Sequence, residues 1–337
     1  MSEIQALAAK QAHGKLEHFS YDPGPLGDEQ VEIGVQYCGL CHSDLMVIND
    51  EAHFTKYPLV PGHEAIGTVL AAGSGAKLVT PGQTVGLGWN SSSCMWCPQC
   101  LAGDHNLCRN LEMTIVGRHG AFATRVRCHW SWAAPIPPGL DLSIAGPLLC
   151  GGITVFNPLI QYHVVPTSRV GVIGIGGLGH MALQFFNKWG CDVTAFTSSA
   201  NKADEARSMG AHRIVDTHSA AELGKVAGSF DFILSTVNAP LDWPAYLAAL
   251  EPKGHLHFVG IWPEPISVPA FALIGQQKSI AGTPSGAPGT VATMLDFCAR
   301  HGIKPVTEQY PMSQANEAIA RLESGKARYR IVLKNDL

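Results

Sequence analysis

The 337-residue chain is poor in charge: 15% of its residues are Asp, Glu, Lys or Arg, and they sum to −4 with histidine neutral. Lacking a basic excess, it has no electrostatic footprint for nucleic acid or for an anionic membrane surface. The N-terminal stretch MSEIQALAAKQAHGKLEHF lacks an apolar run of signal-peptide length. A cytoplasmic chain is therefore expected, and its ten cysteines need a reason other than disulfides. No internal repeat or low-complexity tract is visible, which excludes a repeat array. One stretch, Val170 to Asn187, lacks Asp, Glu, Lys and Arg altogether. Such a run invites a membrane-helix reading, but five glycines and a change of periodicity within it argue against a span.

What the run does contain organises the second half of the chain. Val170 to Ile175 is β-branched, as a buried parallel strand is. It leads into Gly174-x-Gly176-x-x-Gly179, and Met181 to Trp189 continues with helical apolar spacing. Strand, glycine turn and helix in that order form the context that a dinucleotide fingerprint requires. The glycines permit a tight turn and close backbone approach to a pyrophosphate at the helix N-terminus. Further strands are expected at Asp192 to Phe196, Arg213 to Asp216, Phe230 to Ser235 and Leu256 to Gly260. Helical patterns at about Asn201 to Met209 and Asp242 to Leu250 separate them. This alternation implies a parallel sheet with helices on both faces.

Upstream, Val31, Ile33, Val35 and Tyr37 alternate as a half-buried strand does. That strand delivers Cys38-Gly-Leu-Cys41-His42-Ser43-Asp44, followed by a short apolar helix, Leu45 to Ile48. Ile66 to Ala71 and Thr84 to Gly88 read as further strands, and the Gly/Pro punctuation suggests a distorted, mostly antiparallel barrel. The length, at about 150 residues per domain, suggests two domains. Past Gly282 a Gly/Pro/Ser stretch precedes two helical segments, and a terminal strand, Tyr329 to Leu333, is expected to return to the first domain.

Cys94, Cys97, Cys100 and Cys108 lie close enough in sequence to satisfy a tetrahedral structural zinc and leave no open position. A redox pair would need only two of them. Outside this lobe Cys41, His63 and Cys150 are candidate ligands. Two thiolates and one imidazole would leave zinc a fourth position, but their separation in sequence carries no information by itself. Singly, a buried cysteine is usually a small hydrophobe and a lone histidine is usually structural.

Five motifs occur together and in order: Gly39-Leu-Cys41-His42-Ser43-Asp44, Gly62-His63-Glu64, the four-cysteine lobe, Pro147-Leu-Leu-Cys150 and Gly174-Ile-Gly-Gly-Leu-Gly179. The combination resembles the zinc-dependent medium-chain alcohol dehydrogenases, in their cinnamyl-alcohol-dehydrogenase-like branch. Within it, the likeness is to bacterial NADPH-dependent aldehyde reductases of broad specificity. It runs down to Gly325-Lys-Ala-Arg-Tyr-Arg-Ile-Val-Leu333. The resemblance implies an α/β fold: a GroES-like distorted β-barrel catalytic domain (residues 1–150 and 285–337) and a doubly wound Rossmann domain (151–284) for NADP(H). The active site is expected in the cleft between them. It implies Cys41, His63 and Cys150 as catalytic zinc ligands with Glu64 beside the metal, Asp44 orienting His63, and Ser43 taking the substrate's hydroxyl proton. His42 would face the cofactor pyrophosphate and Thr154 would pack near the nicotinamide. Gly174, Gly176, Gly177, Leu178, Gly179, Thr236, Val237, Val259 and Gly260 would contact the cofactor, and Trp89 and Ile261 would wall the pocket. Cys38, Cys128, Cys191 and Cys298 match no motif and read as packing residues. Met46 stands where the family commonly places a relay histidine, which puts the proton's exit route in question.

Coenzyme choice can be read physically. NAD enzymes close the second strand with an acid that binds the ribose 2′-hydroxyl. Here that strand ends Thr197-Ser198-Ser199, with Lys202 following, and Asp192 sits at its wrong end. Hydroxyls and an ammonium suit a 2′-phosphate. The expected partners are a small aldehyde or alcohol and a second copy of the chain, as a homodimer or dimer-based oligomer pairing through Ser267 to Ala281. No nucleic acid or membrane partner is expected. Two alternatives stay open at this point: a zinc-free quinone or enone reductase of the same fold, and a non-catalytic NADPH- or redox-sensing binding protein.

Overall fold

Gly- and Pro-punctuated antiparallel strands build one part of the chain, and alternating strands and helices build the other. A computed structural model describes residues 3–198, 202–261 and 264–337. The chain forms two units, Met1–Ile153 with Ser285–Leu337, and Thr154–Pro284.

In the first unit β1 (Ile4–Ala9) and β2 (Leu16–Tyr21) form an antiparallel hairpin. The long strand β3 (Gln30–Leu40) buries Val31, Ile33 and Val35. It pairs with β4 (Ala65–Ala72), which continues the sheet through β5 (Thr84–Leu87). A short ribbon, β6 (Asn90–Ser92) with β7 (Glu112–Met113), flanks the four-cysteine lobe. Strand β8 (Arg125–His129) pairs with the first half of β3, and β9 (Ala134–Pro135) pairs with β5.

The second unit is a parallel sheet of β10 (Arg169–Ile173), β11 (Asp192–Thr197), β12 (Arg213–Asp216), β13 (Phe230–Ser235), β14 (Leu250–Phe258) and β15 (Ser279–Gly282). Their spatial order is β12-β11-β10-β13-β14-β15. The order reverses between β10 and β13, where doubly wound sheets bind ligands. The helix Gly179–Trp189 buries Met181, Ala182, Leu183, Phe185 and Phe186 and stops at Gly190, whose φ of 106° is the left-handed cap glycine tolerates. Phe196, Phe230 and Tyr246 form an edge-to-face cluster in this unit's core.

After Ser285 the chain rejoins the first unit. Strand β16 (Thr307–Pro311) pairs in parallel with β17 (Arg330–Lys334), and β17 pairs antiparallel with the last residues of β3, Leu40 opposite Ile331. The terminal strand thus returns as expected.

The structure departs from the sequence pattern at three places. Strand β14 starts at Leu250, six residues early and directly after the helix Trp243–Ala249, because half-buried Glu251 and exposed Pro252 and Lys253 mask its first half. Strand β16 was not anticipated; all its residues are at least partly exposed, so no apolar alternation marks it. Ser267 to Ala281, the segment expected to pair with a second copy, contains the helix Ala270–Ile274 before the strand Ser279–Gly282.

His257 on β14 is fully buried against the Phe232 and Tyr162 rings. Its Nε2 lies 3.1 Å from the Thr283 hydroxyl, while Nδ1 has no hydrogen-bond partner among the described residues. Burial, then neighbouring His255, lowers its pKa to about 4. In the unfolded chain it titrates near ~6.5. Between these values the unfolded state binds the extra proton, so stability falls on acidification. Denaturation of the second unit between pH 6.5 and 4 should show a slope of about 1 kcal/mol per pH unit from this residue, which His257→Phe removes. An unchanged slope in the variant would contradict that assignment.

Candidate active site and metal centres

At the end of β3 the chain turns into the helix His42–Ile48 with Cys41 at its N-cap. Asp44, fully buried in the first turn, reaches back: Oδ2 accepts the Cys41 N–H at 2.9 Å. Its other oxygen accepts the Gly62 N–H and lies against His63 Nδ1, both at 2.9 Å. A carboxylate only accepts here, so Nδ1 carries the proton and the Nε2 lone pair points the other way.

That other side holds the donors. His63 Nε2 is 3.3 Å from Cys150 Sγ, the Cys41 and Cys150 sulfurs are 3.9 Å apart, and a Glu64 oxygen lies 3.9 Å from Nε2. The ligand atoms of Cys41, His63, Glu64 and Cys150 all lie within 4.8 Å of one another. A tetrahedral zinc with bonds of about 2.0–2.3 Å sets ligand separations of ~3.3–3.8 Å, so the sulfur and imidazole donors fit. The charges agree. Mutual contact lowers the Cys41 thiol well below its usual range, while the same contact and burial raise Cys150, so the pair gives up one proton readily. Against the pull of burial, Asp44 and then Cys41 raise His63. A divalent cation would take the place of that imidazole proton.

Glu64 is fully buried and paired with Arg330, which opens β17 and also places Nη1 3.7 Å from Cys41 Sγ. Burial raises the Glu64 carboxyl to about 7, although Arg330 pulls it down. Its Oε2 has no hydrogen-bond partner among the described residues. A β-carbon on Gly39 would overlap that carboxylate, so the strand passes it only as glycine. Arg330 was not recognised from the sequence. The available signal was a charge opening the apolar run Arg330-Ile-Val-Leu, where a buried cation needs a partner. Ser43 Oγ lies 3.8 Å from Cys41 Sγ, and the Trp89 ring meets His63 edge-on at 4.9 Å between centroids. Met46 packs half-buried against the core, His42 is exposed, and Cys38 and Cys128 are fully buried.

The second cluster is closed. Cys94, Cys97, Cys100 and Cys108 place their sulfurs within 4.8 Å of one another, with Cys94–Cys100 and Cys97–Cys108 both at 3.9 Å. Backbone amides face these sulfurs: Cys97 N–H donates to Cys94 at 3.3 Å, and Cys94 and Asn110 donate to Cys108 at 3.4 and 3.3 Å. Such donors favour thiolate. The Cys100 amide, above all, lowers Cys97 to about 6, whereas burial raises Cys100 to about 12.

In the second unit the glycine turn follows β10. Gly174 has a φ of 85°, a left-handed value, and a β-carbon there would strike Val237. One on Gly179 would overlap the Gly174 carbonyl oxygen, whereas Gly176 faces open space. Thr236 Oγ1 lies 2.9 Å from the carbonyl oxygens of Ile173 and Gly174. The Val259 and Gly260 amides both donate to Ser235 O, which brings them to the same end of the sheet. Gly177 and Leu178 are half-buried at the start of the helix. Lys202 Nζ donates to Ile175 O at 3.2 Å, so its ammonium sits at the glycine turn. Thr197 ends β11 buried and Ser198 is exposed; Ser199 lies outside the described residues. The carboxylate nearest in register, Asp216 beside Thr197, accepts the His218 N–H at 2.9 Å. Thr154 is half-buried on the helix Gly151–Gln161, Ile261 is exposed, and Cys191 and Cys298 are buried.

Residues 27–138 match the alcohol dehydrogenase GroES-like domain, and residues 177–300 match the zinc-binding dehydrogenase domain. Aldehyde reductase AdhA of Synechocystis is 55% identical over 332 residues, covering 98% of this chain and 99% of that protein. A probable cinnamyl alcohol dehydrogenase of rice, 8A, is 36% identical, covering 97% and 93%. Among solved structures, a cinnamyl alcohol dehydrogenase from Sorghum bicolor superposes with a TM-score of 0.93 at 37% identity, covering 99% and 98%. One from Helicobacter pylori, complexed with NADP(H), superposes at 0.87 with 28% identity, covering 98% of each chain.

Asp44→Ala would leave the Cys41 and Gly62 amides and His63 Nδ1 without their acceptor. Zinc affinity at the Cys41 cluster should fall about 10- to 100-fold, measured by competition with a chromogenic chelator, with the four-cysteine site unchanged. Equal affinity in variant and wild type would show that Asp44 does not set the imidazole.

Proposed function

The chain belongs to the zinc-binding alcohol dehydrogenases, and on that premise we propose that it works as an NADPH-dependent aldehyde reductase. The reaction moves a hydride between NADP(H) and an aldehyde or primary alcohol. The observation that carries this reading is the convergence of Cys41, His63 and Cys150 on one point, with their buried carboxylate partners. This complete donor set speaks against a zinc-free enone reductase.

In this reading Cys41, His63 and Cys150 hold the catalytic zinc and the four-cysteine lobe holds a structural one. When bound, the catalytic zinc supplies Lewis acidity toward a carbonyl oxygen, and NADP(H) supplies or accepts the hydride. The chain's own groups do the rest. Asp44 fixes the His63 tautomer and plane. Arg330 neutralises Glu64 and holds it beside the donors, from where it can reach the metal. The Ser43 hydroxyl passes a proton to the substrate oxygen, and Met46, a thioether, cannot carry that proton onward. We assign zinc chemistry to residues 1–150 with 285–337, and the coenzyme to 151–284. His42, Thr154, Trp89 and Ile261 keep the roles that the family pattern implies.

The coenzyme preference is for NADPH. It is supported by the absence of an acid at the end of β11 and by the Lys202 ammonium at the glycine turn. A homodimer is proposed because the edge strand β15 follows a helix whose Phe271 and Ile274 are 78% and 71% exposed, a combination that invites pairing with a second copy. Sedimentation should give at least a dimer at micromolar concentration, and a stable monomer would refute it. A reducing, cytoplasmic setting suits ten unpaired cysteines, eight of them buried.

The deciding assay is NADPH and NADH consumption over linear, branched and aromatic aldehydes. NADPH should be preferred by at least about tenfold, the size of one charge-assisted phosphate contact. Combining Thr197→Asp with Lys202→Ala should reverse much of that preference. Equal kcat/KM with both coenzymes in the wild type would remove the coenzyme claim, and no turnover of any aldehyde would remove the enzyme claim. In the same assay Ser43→Ala should lower kcat by ~10²–10⁴-fold with zinc retained. An unaltered kcat would place the proton donor elsewhere.

A further inference from the structure

From the last residue of β10 toward the helix Gly179–Trp189, four successive carbonyls are held by side chains. Thr236 Oγ1 lies 2.9 Å from those of Ile173 and Gly174, and Lys202 Nζ donates to that of Ile175 at 3.2 Å. The Gly176 carbonyl has two donors, both from His180: its backbone N–H at 3.1 Å and its ring Nδ1 at 3.0 Å. His180 is fully buried in the first turn of the helix.

In a trans peptide the N–H of one residue points opposite to the C=O of the residue before it. Holding the Gly176 carbonyl toward the helix therefore turns the Gly177 N–H away from it. The bonds to the Gly174 and Ile175 carbonyls orient the Ile175 and Gly176 amides in the same way. Among the described residues none of these three amides donates a hydrogen bond, and the space beside Gly176 is open. Three unpaired donors at the start of a helix form a cradle for an anion. Glycine makes the turn possible but also leaves it loose, because glycine surrenders the most backbone freedom when fixed. A ring donor locked in the core restores that stiffness.

We propose that His180 is a positioning residue for the coenzyme: its Nδ1–H fixes the Gly176–Gly177 peptide so that the glycine-turn amides face the pyrophosphate. This rests on the reading that the turn takes NADP(H). A carbonyl oxygen accepts only, so the ring must carry its proton on Nδ1.

The first test uses the wild type alone. With ¹⁵N-labelled histidine, the His180 ring should be protonated at Nδ1, with and without NADPH. A neutral ring protonated only at Nε2 would overturn the proposal. The second test measures NADPH binding by equilibrium fluorescence titration, together with kinetics. His180→Phe keeps a ring of similar size and should raise the NADPH Kd about tenfold, the effect of one well-placed hydrogen bond. At saturating coenzyme its kcat should stay within about twofold of wild type, since the ring acts on binding geometry and touches no reacting atom. His180→Gln, whose amide can donate to the same carbonyl, should recover most of the affinity. Unchanged affinity in His180→Phe, or equal loss in Phe and Gln variants of wild-type melting temperature, would overturn it. If His180→Phe does not fold, the ring tautomer and the Gln variant decide. A wild type that binds no NADPH refutes the coenzyme reading itself; one that binds while the Phe variant binds equally well refutes only the role of His180.

Discussion

The first unit depends on one buried carboxylate. Asp44 accepts from the Cys41 amide, the Gly62 amide and His63 Nδ1, and so joins the end of β3 to the segment before β4. In low dielectric an unpaired carboxylate is costly, whereas one with three donors is well satisfied. The same three bonds set where two of the candidate metal-binding side chains, Cys41 and His63, point. Fold and site geometry are thus specified by one contact, and losing it damages both.

A second constraint closes the site from the far end of the chain. Glu64 and Arg330, 266 residues apart, are buried together beside the two sulfurs. A buried ion pair adds little net stability, but removing one partner strands the other charge. That pairing gives a physical reason for the excursion through the second unit to end with β17 laid against β3. In the second unit the equivalent economy is at the glycine turn, where missing side chains let the backbone fold tightly and neighbouring side chains hold its carbonyls.

What was legible in the sequence was local. The strand–turn–helix around Gly174 to Gly179 and the spacing of Cys94, Cys97, Cys100 and Cys108 each carry their chemistry within a short window. Cys41, His63 and Cys150 do not: they are separated by 22 and 87 positions, and only the resemblance joined them before the structure did. Arg330 was hidden because a single arginine at the start of an apolar strand reads as an exposed end. β16 was hidden because a partly exposed strand has no alternation to detect, and the first half of β14 because Pro252 and Lys253 are exposed. The place of Lys202 at the Ile175 carbonyl depends on how the segment after β11 folds back, which no local pattern encodes.

An open three-ligand zinc site supported by Asp44 and a closed shell of four cysteines should release their metal separately. Metal analysis during stepwise chelation should start from two zinc ions per chain. The first to leave should take all aldehyde reduction with it while circular dichroism stays native, and the second should leave only as the fold is lost. One zinc per chain after purification without chelators, or activity that survives loss of the first ion, would contradict this two-site assignment.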